Sequence, residues 1–458
     1  MCFVARLGNI KKIEGADKIV TSDVILNGVP VTQVIVGVDT KEDTKVIYFD
    51  SNMCIGDQII KDYPDMAKYL SKHNRVKCLR LRGCISNGLV IEIDKFKKYF
   101  DNDKEFDKFM KEGHEFLAIN GMVVCRKYTP PPARHSGDGN KRTSKREPSR
   151  VIDNVFKFHV DTSQLLRNVH KINPNNIISI SRKVHGTSFL CSHTLVKRKL
   201  TVFENVLKMF KVKIKEVEYD YLYASRNTIK NSRHNCIVNE NDIWIKASKE
   251  NFLGKLHKGE TVYGEIVGYL PSGRMVQKGY NYGCKENEYK IAVYRMTYTN
   301  EDGNVFEYGW QSLKDRCKEI GVPMVEEYYY GKADDKYNNT ITNFEPIKVV
   351  PDVGLVGDDG GYISLGCSAT IGYEDNKIWA RNFVEELKKE YLEKKCEDCI
   401  GNPPDEGIVL RIEGIAIEVY KLKSDLFTLR ESARRDNGEE DIEDEESANV
   451  EENSNNEG

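Results

Sequence analysis

From residue 1 to about residue 125, apolar and polar positions alternate in short runs. Thr32-Gln33-Val34-Ile35-Val36 and Thr44-Lys45-Val46-Ile47-Tyr48-Phe49 are bounded by Gly, Asp and Asn. That is the pattern of half-buried strands closed by turns. A short helix is expected over Pro64 to His73. About five short strands in this length predict a small β-barrel. From 151 to 430 the pattern changes to strands mixed with helices, so the fold class is α+β. The clearest helix runs from Trp379 to Lys395, with apolar residues at helical spacing and basic residues near its end. The stretch 331–378 carries no motif, and 331–400 as a whole is expected to be an insertion or peripheral element.

Charge adds two segments to this picture. Residues 126–150 are rich in Pro, Gly and Ser, and hold eight Lys/Arg against two Asp/Glu. They predict a flexible interdomain linker, free to add phosphate contacts. Residues 431–458 hold twelve Asp/Glu against two Arg. They predict an acidic disordered tail, solubilising or mimicking nucleic acid. The overall net charge of −2 therefore says little about what the body binds.

No apolar run approaches the roughly 18 residues of a membrane span, and no membrane partner is expected. No secretory signal opens the chain. Of twelve cysteines only Cys396 and Cys399 are closely spaced. Scattered cysteines predict reduced thiols in a soluble intracellular protein, nuclear or cytoplasmic. The Cys396/Cys399 pair is a redox motif or a metal half-site, and no second pair lies near it to complete a zinc site.

The chemistry begins at Lys183. It follows the β-branched run Ile177-Ile178-Ser179-Ile180 and precedes Val184-His185-Gly186-Thr187. A lysine at a strand end beside a glycine turn presents its amine to a pocket. It is nucleophilic only when neutral, so neighbouring positive charge or metal is expected to lower its pKa. Alone, Lys-X-X-Gly is a weak signal whose bland reading is a surface lysine. Five later segments change that. Arg226 follows an aromatic strand, Glu265 lies inside the apolar strand Thr261 to Gly268, and Tyr294 lies in the strand from Tyr289. Asp405-Glu406-Gly407 then opens a strand, and Lys421 and Lys423 share one face of another. Charges inside apolar strands are costly unless they share a polar cavity. Two lysines and a divalent metal suit a reacting triphosphate, and carboxylates suit the metal.

In this order the segments resemble the six motifs of the covalent nucleotidyltransferase superfamily, which comprises RNA ligases, DNA ligases and capping enzymes. The resemblance spans about 151–430 apart from 331–400. Lys183-Val184-His185-Gly186-Thr187 and Ser225-Arg226-Asn227 look like RNA-editing-type and Deinococcus-type RNA ligases. Ile13 to Ile19, and Leu81 to Leu89, resemble segments of tRNA-binding OB modules. An OB module ahead of the transferase domain is the Deinococcus-type arrangement.

The resemblance implies an N-terminal OB-type β-barrel (1–125), a basic linker (126–150) and a mixed, ATP-grasp-like nucleotidyltransferase domain with antiparallel sheets (151–430). It implies an ATP-dependent RNA ligase acting as a monomer on RNA with 3′-hydroxyl and 5′-phosphate ends, with Mg2+ or Mn2+. Lys183 would be the catalytic nucleophile. Lys183, His185, Gly186, Arg226, Glu265, Tyr294, Lys421 and Lys423 would bind the nucleotide, with Tyr289 as second choice for the base. Glu406 and Glu265 would hold the metal, and Arg80 and Arg82 would contact RNA. His185 has an equally good reading as a structural histidine. Arg182 departs from the family, where many RNA ligases carry a Glu that helps read adenine. Two other readings stand beside this one: a GTP-dependent capping guanylyltransferase, and a non-catalytic RNA-binding protein with a dead transferase fold.

Overall fold

The computed structural model describes residues 2–129, 149–160, 162–234, 241–337, 373–439 and 442, with 373–377 as backbone only. The N-terminal strands are β1 (Cys2–Lys12), β2 (Ile19–Leu26), β3 (Val29–Gly37), β4 (Lys45–Phe49) and β5 (Leu89–Glu92), hydrogen-bonded in the order β3-β2-β1-β4-β5. All these pairs are antiparallel. The hairpin Cys78–Leu81 with Cys84–Asn87 lies against the outer strand, where Ile35 N–H donates to Ser86 Oγ at 3.0 Å.

The helix expected over Pro64–His73 is replaced by two 3₁₀ turns, Pro64–Tyr69 and Lys72–Asn74. His73 has φ 59°, in the left-handed region that a continuing α-helix excludes. The linker also begins later than its composition suggests. Cys125–Lys127 pairs with Met53–Ile55, and Tyr128 N–H donates to Asn52 O at 2.9 Å. Residues 130–148 lie outside the described residues.

The second half is built on two mostly antiparallel sheets. One contains β6 (Ile177–Arg182), and the chain crosses from it through Lys183 to Gly186 into β7 (Thr187–Lys197) of the other. Beside β7 lie β8 (Val217–Ser225), β9 (Glu260–Gly268), β10 (Tyr289–Thr299) and β11 (Val305–Glu307), in the order β8-β7-β9-β10-β11. The first sheet is completed by β12 (Glu327–Lys332), β13 (Gly407–Glu413) and β14 (Glu418–Lys423), with Ser163–Gln164 parallel to β14 at one edge. Ser, Thr and Cys alternate with larger apolar groups along β7, and both its faces are covered, so its run from Thr187 to Cys191 is fully buried.

Helices α1 (Ile243–Phe252) and α2 (Trp310–Ile320) pack on the second sheet. Helix α3 (Tyr373–Tyr391) corrects the expectation for 331–400. Trp379, Ala380, Phe383, Val384 and Leu387 are fully buried with Ile178, Ile180 and Leu410 of the first sheet. This helix is therefore part of the core rather than peripheral, each large side chain contributing about 1.5–3 kcal/mol by burial. Residues 338–372 lie outside the described residues.

Helix α4 (Asp425–Asp436) follows β14 after one residue. Ser424 Oγ caps it by accepting from Phe427 N–H, and Arg434 and Arg435 occupy its last turn, where cations suit the helix dipole. The acidic tail read from Glu431 onward is thus helical in its first residues. Glu439 also pairs with Lys278 at 2.7 Å and Arg434 at 3.2 Å.

Helix α4 joins the two halves. Arg75, 2% exposed, pairs with Asp436 and donates to Ser432 O at 3.1 Å. Cys78 N–H donates to Ser432 Oγ at 3.1 Å, Asn87 to Asp425 Oδ1 at 2.9 Å, and Arg435 to Asn52 Oδ1 at 2.7 Å. No helix among the described residues is long and apolar enough to cross a membrane.

Candidate active site

Lys183 sits where β6 ends. Its N–H donates to Gly407 O at 2.9 Å, which fixes the nucleophile candidate against the start of β13. Register pairs Gly407 with Lys423 and Val409 with Lys421, so the two lysines of β14 lie beside the same strand end. Gly407 is required there: its φ is +132°, and a Cβ would meet Leu422 O at 2.1 Å. Gly186 is required by close approach, because a Cβ would lie 2.4 Å from Ile266 O.

At the centre is Glu406, 3% exposed. Its Oε1 lies 3.0 Å from Lys183 Nζ and 2.7 Å from Lys423 Nζ. His185 Nδ1 lies 3.8 Å from Oε2. Burial pushes Glu406 toward the neutral form, but the two lysines and His185 outweigh it and hold the carboxyl well below its ordinary range. Lys183 behaves in the complementary way. Burial alone would lower its pKa, yet Glu406 and Glu265 raise it above the ordinary lysine value. Among the protein's own charges the balance lies away from the neutral form that positive charge or a metal is expected to favour. Arg226 does push toward that form, but the two carboxylates win, and Lys423 shares Glu406 with the nucleophile.

Glu265 pairs across β7–β9 with Ser188, whose Oγ donates to Oε1 at 3.0 Å. Tyr294 is aimed by a bulge: Tyr263 pairs with Arg295 and Gly264 with Val293, leaving Tyr294 as the extra residue. It packs edge-on to His159, with ring centroids 5.6 Å apart. Lys183, Glu265 and Tyr294 line a cavity of about 290 Å³ whose walls include Val184, Val409 and Val419 and whose far end holds Arg295, Glu307 and Arg411. On the other side of Lys183, a cleft of about 430 Å³ collects His185, Gly186, Arg226, Glu265, Glu406, Lys421 and Lys423. The same cleft reaches Arg75, Lys127 and Tyr128 of the N-terminal half and Arg435 of α4.

The structure thus gathers His185, Gly186, Arg226, Glu406, Lys421 and Lys423 in the cleft and Tyr294 in the cavity, with Lys183 and Glu265 lining both. Tyr289 lies apart, with its hydroxyl on Glu250. Arg80 and Arg82 stand exposed on the Cys78–Asn87 hairpin and do not line the cleft. Arg182 lines the cavity beside Lys183 and joins an ion cluster, 2.9 Å from Asp405 and 3.0 Å from Asp398. Cys396 and Cys399 come together sulfur to sulfur with Asp398 beside them, so the pair keeps both of its readings, redox motif and metal half-site.

Several neighbours carry no motif. His185 N–H donates to Tyr282 Oη at 2.8 Å, and its ring meets Tyr280 and Phe427 edge-on, both at 4.9 Å. Gln277, 2% exposed, donates to Gly186 O at 3.0 Å. Glu431 places Oε2 3.8 Å from His185 Nε2. Only Glu431 stood out in the sequence, and there it read as tail.

Both carboxylates offer the hard oxygen ligands that a divalent cation takes. Glu406 is ionised, buried and surrounded by movable ammonium groups, so the donor set fits such an ion. Ion pair to Lys183 and ligation of a metal are alternative uses of the same Oε1.

No protein-family model and no curated protein sequence matches the chain. Solved structures do match in fold. An apo mutant of Naegleria gruberi RNA ligase aligns with a TM-score of 0.55 at 14% identity, covering 94% of this chain and 98% of that one. A mutant of the same enzyme with ATP and Mn gives a TM-score of 0.54 at 13% identity, with 94% and 98% covered. The form with PPi gives 0.54 at 14%, with 94% and 99% covered. The chain therefore shares the fold of a solved RNA ligase along nearly its whole length.

Proposed function

We propose that this chain is an ATP-dependent RNA ligase that seals 3′-hydroxyl and 5′-phosphate ends through a lysyl-AMP intermediate. The observation that carries this reading is the buried Glu406 carboxylate shared by Lys183 and Lys423, at the junction of an apolar-walled cavity and a basic cleft. The fold likeness supports it, since the solved enzyme is an RNA ligase crystallised with ATP, Mn and PPi. We further read the N-terminal sheet as an OB-type module that helps hold RNA.

In the first step Lys183 Nζ attacks the α-phosphorus of ATP, a P–N bond forms, and the P–O bond to pyrophosphate breaks. The RNA 5′-phosphate then attacks the same phosphorus and Lys183 leaves. Finally the 3′-hydroxyl attacks the 5′-phosphorus and AMP departs. Tyr294 packs on the base. Arg226 and Glu265 hold the ribose or a phosphate. Lys421 and Lys423 balance charge growing on the α-phosphate oxygens. Gly186 lets the backbone pass close to the nucleotide, and Tyr282 orients the His185 turn. Mg2+ or Mn2+, held by Glu406 with Glu265, supplies neutralising charge to the phosphates when bound.

The test is incubation with α-labelled ATP or GTP and a divalent cation. Label on the protein from ATP, absent in Lys183→Ala, is expected. No adduct with either nucleotide, or an adduct that survives Lys183→Ala, overturns the reading. An adduct from GTP alone moves the assignment to guanylyl transfer. Sealing of nicked duplexes then separates RNA from DNA ends.

A further inference from the structure

The connection between β7 and β8 carries a feature that the ligase reading does not use. β7 and β8 stay paired to Lys197 and Val217, and the segment between them holds the helix Val202–Met209. Lys197 is nine residues beyond Ser188, so this end of the hairpin lies roughly 30 Å from the Lys183 pocket. The helix is firmly started by a capping box between Thr201 and Glu204. None of its residues is buried.

Its apolar residues share one face. Val202, Phe203, Val206, Met209 and Phe210 follow helical spacing and are 84, 70, 43, 83 and 76% exposed. Phenyl, thioether and isopropyl groups are rarely clustered in water without a partner. The rim of this face is basic. Residues 197–216 hold seven Lys/Arg against two Glu, and both Glu are engaged by Arg198 and Lys208.

We propose that this helix docks on an anionic lipid surface. Apolar side chains on one face and lysines around it are what a monotopic interfacial helix requires: the former enter the acyl boundary and the latter meet lipid headgroups. Val202, Val206 and Met209 offer no ring for a base to stack on, and they join the two phenylalanines in one apolar face of the kind that enters the acyl boundary, which favours lipid over RNA. A projecting hairpin end also reaches a flat surface without moving the rest of the fold. This contact lies on a surface rather than across a membrane, and it goes beyond the expectation of no membrane partner.

The experiment is co-sedimentation of the full chain with vesicles of phosphatidylcholine mixed with phosphatidylserine, beside phosphatidylcholine alone, at low and high salt. Binding to the mixed vesicles that weakens with salt is expected. A Phe203→Ser/Phe210→Ser variant should lose about tenfold or more of this binding, with unchanged thermal unfolding. A Lys211→Gln/Lys213→Gln variant should lose the preference for phosphatidylserine. Absence of binding overturns the proposal, as does binding that survives loss of both phenylalanines. Intact vesicle binding by that variant combined with weakened RNA binding assigns the face to RNA. Loss of self-association in the variant, without vesicle binding by the parent, assigns it to a second copy.

Discussion

Lys183 and Glu406 meet at 3.0 Å inside the protein, and the carboxylate oxygen between them is also the one that Lys423 approaches to 2.7 Å. Glu406 and Glu265 favour the ammonium form of Lys183, against the pull of its own burial. Replacing Glu406 with Gln removes the main opposing charge and leaves burial and Arg226 acting against Glu265 alone. The Lys183 pKa should then fall below the ordinary lysine value. The pH dependence of lysine modification in the ligand-free protein measures this, and an unchanged midpoint refutes it. The same variant should lose about a hundredfold or more of its adduct formation, since the carboxylate proposed to hold the metal is gone.

The glycine at 186 is a steric requirement. A methyl group there would sit 2.4 Å from Ile266 O, so Gly186→Ala forces β9 and the Lys183 turn apart. The expected cost is about 1–3 kcal/mol of stability, typical of overpacking. Adduct formation should fall even at temperatures where the variant remains folded. Chemical denaturation paired with labelling separates the two effects.

Tyr294 is proposed to pack on the base, with His159 behind it. Tyr294→Phe keeps the ring and should form adduct at close to the parent rate. Tyr294→Ala should raise the KM for ATP about tenfold, the scale of one lost stacking contact. Equal losses in both variants would show that the hydroxyl, and not the ring, matters.

Glu260 and Arg316 form a buried pair, 1% and 7% exposed, with two hydrogen bonds at 2.8 and 3.0 Å. Burial would raise the Glu260 pKa, but Arg316, Tyr308 and the His257 N–H lower it below its ordinary 4.5. A depressed carboxylate stabilises the fold above its unfolded pKa, and this contribution disappears as pH falls through the folded value. Arg316→Leu leaves the charge unpaired and should cost about 3–5 kcal/mol near neutral pH. The gap between parent and variant should narrow on acidification below 4.5, read from thermal unfolding at several pH values.

Arg75 separates the two halves functionally. Its guanidinium is buried against Ser432 and Asp436 of α4 and lines the same cleft as Lys183. Arg75→Ala should leave labelling by ATP nearly intact while lowering the sealing of RNA ends. Parallel losses in both assays would mean that the interface supports the nucleotide pocket itself.

Much of the site was legible because its residues announce themselves. Lys183, Glu265, Glu406 and the lysines of β14 are charges inside apolar strands, and such charges need a shared cavity wherever the strands lie. The strands themselves followed from alternation. The parts that escaped depend on contacts made far along the chain. Tyr280, Tyr282 and Gln277 come from a loop with no pattern, and only folding brings them under His185. Composition made Glu431 look like tail, although it continues a helix whose start is set by Ser424. The charge balance at Lys183 escaped for the same reason, because the approach of Glu406 depends on the pairing of Lys183 N–H with Gly407 O, far along the chain. Arg80 and Arg82 fit an RNA-binding pattern, yet the cleft meets the N-terminal half at Arg75, Lys127 and Tyr128.

Helix α4 follows Lys423 after a single residue, and its far end is clamped by Arg75. The segment from Lys421 to Asp436 therefore runs as one piece from the lysines of β14 to the N-terminal half. Tilting that half by even a small angle must shift Lys423 against Glu406, because a capped helix transmits rotation instead of absorbing it. Engagement of a polynucleotide by the N-terminal half would be felt at the nucleotide, and the presence of a nucleotide would in turn alter the pose in which that half waits.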